Sequence, residues 1–259
     1  MALAEGGQLK TNLHIGTMGW SYSFWTGVLY PKDCKPEQFL REYSKHFDTV
    51  EVDNTFYRIP YKTTITKWRD QTSSEFIFSS KFPRKITHDN MLRNSQEDVE
   101  RFLETVSLFQ DKAGPLLIQL PPGFKDEHLQ VLADFLEYLP KGPLFAVEVR
   151  NRKLLSDRLY SLLRDHRVSL AFGVYPAPTL TEEVTADFIY IRWLGDRRKV
   201  LGNLGRVEID RTDDLNKWAN KIKMFTGRAL KVFGYFSKYY SGYPPHDAEQ
   251  LLRILGHSE

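Results

Sequence analysis

With 259 residues, 41% of them hydrophobic and 27% charged, the chain sits in the globular range and is too apolar for a disordered segment. Its formal charge of +3 permits an anionic partner, but is a smaller excess than proteins dominated by nucleic-acid binding often carry. A lone cysteine, Cys34, excludes an intrachain disulfide and a cysteine-built metal cage, and fits a reducing, cytoplasmic home.

Residues 1–12 are small and polar, without the apolar core of a signal peptide, and are expected to be a flexible N-terminal segment. No stretch has the length of a bilayer span, so no membrane partner is expected. The apolar run Leu13 to Met18 then predicts a first strand, followed by the aromatic loop Trp20 to Trp25. Phe39, Leu40 and Tyr43 recur at the spacing of one helical face and predict a helix over Pro36 to His46.

A second strand is predicted at Thr49 to Asn54, a helix at Thr63 to Gln71, and a third strand at Phe76 to Lys81. The next helix is expected over Asn94 to Gln110, opened by Ser95 three residues before Asp98 in a capping pattern and closed by Gly114-Pro115. Strands at Leu116 to Gln119 and Phe145 to Arg150 flank a helix whose stripe runs from Leu129 to Leu139. Leu154 to Asp165 reads as helix and Val168 to Gly173 as the sixth strand; the proline-rich stretch Tyr175 to Thr185 reads as a loop. The strand Phe188 to Trp193, the helix Leu215 to Phe225, the strand Val232 to Phe236 and the helix Ala248 to Leu255 complete the chain.

Strict strand–helix alternation implies parallel strands joined by right-handed crossovers. Eight such units at this length predict one (β/α)8 TIM barrel over residues 13–259, a single domain. No glycine-rich phosphate fingerprint follows the first strand, which argues against a dinucleotide-binding sheet.

In a barrel of this kind the site lies where the strands end. The predicted strands end on Glu51 and Asp53, Lys81, Gln119, Glu148 and Arg150, and Arg192. Side chains alternate along a strand, so Glu51 with Asp53 and Glu148 with Arg150 each point the same way. Any one of these charges is as readily part of a buried ion pair closing the barrel. Their recurrence at equivalent positions is what favours a site.

The segments Ile15 to Trp20, Thr49 to Arg58, Gln119 to Pro122 and Ala146 to Arg150 resemble the recurring motifs of the YecE-like family, domain of unknown function 72. Phe78 to Pro83, Ile86-Thr87-His88 and Tyr190-Ile191-Arg192 match in order and spacing, so the likeness covers essentially the whole chain. The resemblance implies a TIM barrel and leaves the activity unassigned. Two stretches depart from the family pattern: Phe172-Gly173-Val174-Tyr175 lacks the aspartate often found after the sixth strand, and Ser237-Lys238-Tyr239-Tyr240 replaces an asparagine-rich pattern.

Three readings of the strand exits follow. In the first, Lys81, Arg150 and Arg192 hold an anionic ligand, a nucleic acid or a phosphorylated metabolite, and Glu148 is the acid or base of a hydrolysis. Gln119, Trp20, Asn54, Tyr57 and His88 complete the expected binding set, with Arg58 and Arg84 as further cations. In the second, Glu148 pairs with Glu51 or Asp53 as glycoside hydrolysis requires. In the third, the mouth is a non-enzymatic platform for a partner that the sequence does not identify. Of seven histidines only His88 lies in a loop near a strand exit, so neither a metal nor a cofactor is expected.

Overall fold

A computed structural model describes residues 12–174 and 183–257. Residues 1–11 of the expected N-terminal segment and 175–182 of the proline-rich loop lie outside the described residues. The chain has an α/β fold of the TIM-barrel class, with nine strands among the described residues instead of eight. The extra strand comes from the sixth predicted one, where β6 (Ser169–Leu170) and β7 (Phe172–Val174) are separated by Ala171. β6 pairs with β5 (Phe145–Glu148) and β7 with β8 (Phe188–Trp193), so Ala171 is where the chain changes ladders.

The chain divides into two compact units. The first contains residues 12–50, 172–174 and 188–257 of the described chain. Its strands are β1 (Leu13–Met18), the Thr49-Val50 half of β2 (Thr49–Val52), β7, β8 and β9 (Lys231–Phe236). β1 lies parallel to β9, β9 to β8 and β8 to β7. Gly16 allows a close approach inside this unit: a Cβ there would stand 2.2 Å from the carbonyl oxygen of Thr49 and 2.9 Å from the Tyr43 hydroxyl. That hydroxyl is fully buried; it accepts from the Thr17 amide at 3.0 Å and donates to Thr49 O at 2.9 Å. The core around it is aromatic, with Trp25, Tyr43, Tyr190, Trp193 and Tyr235 all buried.

The helices of this unit are α1 (Phe39–Tyr43), shorter than predicted because Pro36–Gln38 forms a 3-10 turn, and two long ones near the carboxyl end of the chain. The second unit, residues 51–171 and 183–187 as described, carries α2 (Lys62–Asp70), α3 (Gln96–Val106), α4 (Leu129–Tyr138) and α5 (Asp157–Asp165). The two long helices of the first unit are α6 (Thr212–Gly227) and α7 (Pro244–Ile254). Pro at the first turn of α7 suits a position whose amide has no helical acceptor.

Two expectations change in the second unit. Ser95 stands at the N-cap of α3, but its hydroxyl donates to Arg93 O at 2.8 Å and leaves the helix amides alone. Gly114-Pro115 does not close a helix; it lies near the start of β4 (Ala113–Gln119), a strand position that tolerates proline's missing amide.

β3 (Ile77–Lys81) pairs with β4 and β4 with β5, all parallel. Behind them Phe78 stacks on Phe109, and Phe82 meets Phe102, Phe135 and Phe145, a buried phenylalanine layer between strands and helices. At the end of β6 the buried Thr185 hydroxyl donates to Val168 O and accepts from Leu170 N, closing a strand too short to close itself.

Candidate functional site

Strand register builds the site in the second unit. Gln119 lies opposite Glu148 on the last rung of β4 and β5, while Lys81 lies opposite Leu117, two residues earlier. Leu117 and Gln119 share a face, so Lys81 faces the same side as Gln119 and its long side chain spans the remaining rung. Lys81 Nζ donates to Gln119 Oε1 at 2.9 Å, and Gln119 Nε2 donates to Glu148 Oε1 at 3.0 Å. Arg150, just beyond the strand, brings its Nε to 2.5 Å from the same carboxylate oxygen.

These two hydrogen bonds and one ion pair join a cation, an amide, an anion and a second cation. Lys81 and Gln119 are each 7% exposed, Glu148 is 3% exposed, and the Arg150 side chain is 28% exposed. The relay is therefore closed to water along most of its length and open at its arginine end.

The turn after β2 covers the lysine. Thr55 Oγ1 donates to Lys81 O at 2.7 Å and accepts from Lys81 N at 3.2 Å, pinning the 3-10 turn Asn54–Phe56 to β3. This places the Phe56 ring 3.7 Å from Lys81 Nζ, a cation–π contact. His88 packs edge-on against the same ring at 5.0 Å, and its Nδ1 is 2.9 Å from Thr87 Oγ1. His88 sits on a π-helical turn, Lys85–Asp89, a rare conformation that recurs at functional sites. Burial, then the positive charges of Lys81 and Arg84 and, least, Arg150, push the His88 imidazole below its usual pKa; the Asp89 carboxylate opposes this. Arg84 is exposed and pairs with Asp89 at 3.1 Å.

The other expected residues take varied places. Glu51 is fully buried in the second unit, Asp53 is half-buried just past β2, Asn54 is exposed, and Tyr57 is 82% exposed. On that turn the sequence singles out Asn54 and Tyr57, whereas the residues that touch Lys81 are Thr55 and Phe56. Both lie in the run matched to the family motif, buried and half-buried between the exposed Asn54 and Tyr57.

Arg192 and Trp20 belong to the first unit. Arg192 is buried, with Nη2 3.5 Å from Met18 Sδ. Trp20, Trp25 and Trp193 are all buried, as large aromatic side chains often are. In the departing segment after β9, Lys238 Nζ lies 5.2 to 5.9 Å from the rings of Tyr239, Tyr22 and Phe24, and Tyr240 donates its hydroxyl to Asp214 at 2.6 Å. Among the described residues no three His, Cys, Asp or Glu side chains gather as metal ligands, and no helix is long and apolar enough to cross a membrane.

Comparison with known proteins gives a consistent result. The family described as "Protein of unknown function DUF72" matches residues 14–259. The chain is 34% identical over 139 residues to the UPF0759 protein YecE of Escherichia coli (strain K12), covering 54% of this chain and 48% of that one. It is 30% identical over 156 residues to the UPF0759 protein YunF of Bacillus subtilis (strain 168), covering 57% and 54%. The matched part thus spans about half the length of these curated relatives. A DUF72 family protein from Thermotoga maritima MSB8 superposes with a TM-score of 0.78 at 23% identity, over 94% of this chain and 99% of that one, which shows a shared fold.

Proposed function

The chain belongs to the DUF72 family of proteins of unknown function, and from its local geometry we propose that the strand exits of the second unit bind a small anionic ligand, a phosphorylated metabolite. One observation carries this reading: the buried Lys81–Gln119–Glu148–Arg150 relay, closed along its length and open at a guanidinium. Arg150 commits Nε to Glu148, which fixes the plane of its guanidinium and leaves the Nη edge for ligand oxygens. Arg84 supplies a second cation near His88.

Glu148 is the proton carrier of the site. A carboxylate this buried is held by its partners in one orientation, which suits a group that must give or take a proton at a fixed atom. A compact ligand fits the arrangement better than a nucleic acid, since only the arginine end of the relay meets solvent. The lone Cys34 is in keeping with a reducing cytoplasm.

The test is calorimetric titration with inorganic phosphate and with a short single-stranded oligonucleotide at two salt concentrations. Phosphate binding that Arg150→Ala removes supports the reading. Tight oligonucleotide binding with a steep salt dependence would replace it with a nucleic-acid one.

A further inference from the structure

We propose that His88 Nε2 accepts a hydrogen bond from a hydroxyl of the ligand, so that the phosphorylated compound held at these strand exits is a sugar or polyol phosphate. The phosphate half of this statement rests on the reading above; the hydroxyl half stands on the hydrogen bonds of His88.

The residue before His88 fixes its tautomer. Thr87 has one hydroxyl proton, and its Oγ1 lies 3.2 Å from Pro83 O, four residues back, and 2.9 Å from His88 Nδ1. A carbonyl only accepts, so the proton goes to Pro83 O, a back-bond that threonine makes readily within a helical turn. His88 Nδ1 then carries the proton of the second contact and donates it to Thr87 Oγ1. The reverse assignment would leave two oxygens facing each other at 3.2 Å with no proton between them. With Nδ1 protonated, Nε2 of the neutral ring is the nitrogen with the lone pair.

Position and charge decide what that lone pair can meet. Thr87 is fully buried and His88 half-buried, so the ring is anchored at its inner nitrogen and Nε2 lies on the edge away from the anchor. Among the described residues Nε2 has no hydrogen-bond partner. Burial and the cations around it hold the ring neutral at neutral pH, where Nε2 accepts and does not donate. Those cations, Lys81, Arg84 and Arg150, repel a charged donor such as an ammonium group. What fits is a neutral donor on a molecule whose anionic group they attract, and a hydroxyl a few bonds from a phosphate is such a donor.

The experiment pairs nitrogen-15 NMR of the full chain with calorimetry. The expected result for the free protein at neutral pH is the Nδ1–H tautomer at His88; the Nε2–H tautomer overturns the proposal. Glycerol 3-phosphate and propyl phosphate share a carbon chain and a phosphate and differ in two hydroxyls. The first is expected to bind about three- to tenfold more tightly, the range of one net hydrogen bond, and to move the Nε2 resonance where the second does not. His88→Phe should erase that ratio and leave propyl phosphate binding in place. His88→Gln, whose Oε1 can accept near the position of Nε2, should restore part of it. If these variants fail to fold, the spectra and affinities of the unsubstituted protein still decide. Equal binding of the two phosphates, abolished by Arg150→Ala, overturns the hydroxyl contact and keeps the anion reading. An Nε2 resonance that responds to glycerol itself, with neither phosphate bound, keeps the hydroxyl contact and removes the anion reading.

Discussion

Gln119 and Glu148 face each other across the last rung shared by β4 and β5, and the amide of the first links Lys81 to that carboxylate. Gln119→Leu keeps the shape and removes both hydrogen bonds, leaving Lys81 Nζ and Glu148 Oε1 each one bond short in a buried setting. The expected destabilisation is about 1–3 kcal/mol, read as a lowered urea midpoint with an unchanged slope. Gln119→Glu is expected to lose at least as much, because it sets a second carboxylate beside Glu148.

Arg150→Met withdraws the cation from a carboxylate that is 3% exposed. Removing one partner of a fully buried pair costs about 3–5 kcal/mol, and partial screening at the exposed arginine end puts this case near about 3 kcal/mol. Adding Glu148→Gln should recover most of the loss. A double-mutant cycle by denaturant unfolding measures it, and additive losses would show that the two side chains do not interact.

His88 should titrate below the 6.5 of an unperturbed imidazole. Because its folded pKa is depressed, its contribution to stability is fully present above pH 6.5 and is lost as pH falls from there through the folded value. NMR titration of the ring protons reads the midpoint directly. Arg84→Ala is expected to raise it, and so is inorganic phosphate bound beside Arg150, since an anion offsets the cations; a midpoint indifferent to phosphate would count against the anion site.

Gly16→Ala places a methyl 2.2 Å from Thr49 O and should destabilise the first unit by about 1–3 kcal/mol or more. Tyr43→Phe removes the hydroxyl that serves Thr17 N and Thr49 O and should lose about 1–3 kcal/mol. Thermal melts of the two variants and their combination would show less than additive loss, since both act on the same close approach.

Much of this was legible in the chain because buried parallel strands are continuous apolar runs, and eight of them stand out between helical stripes. The break at Ala171 was not, because Val168 to Gly173 is apolar or small throughout and the change of ladder leaves no polar mark. Lys81, Gln119, Glu148 and Arg150 were legible as strand ends, since a polar or charged residue closing an apolar run is conspicuous. Phe56 was not, because a ring in a turn reads the same whether it covers a lysine or faces solvent. Trp20, Trp25 and Trp193 illustrate the same limit: composition gives an aromatic ring but not which side of it is wet.

The register of β3 against β4 makes the site sensitive to residue count in a way that composition does not capture. One residue inserted into β3 before Lys81 would turn the amine to the opposite face and bring Ser80's neighbourhood inward, with the same side chains still present. Two would restore the direction but carry the amine about 6–7 Å along the strand, past its amide partner. The length of chain between the bulge at Phe78–Ser80 and Lys81 is thus what sets the amine against Gln119 in this protein.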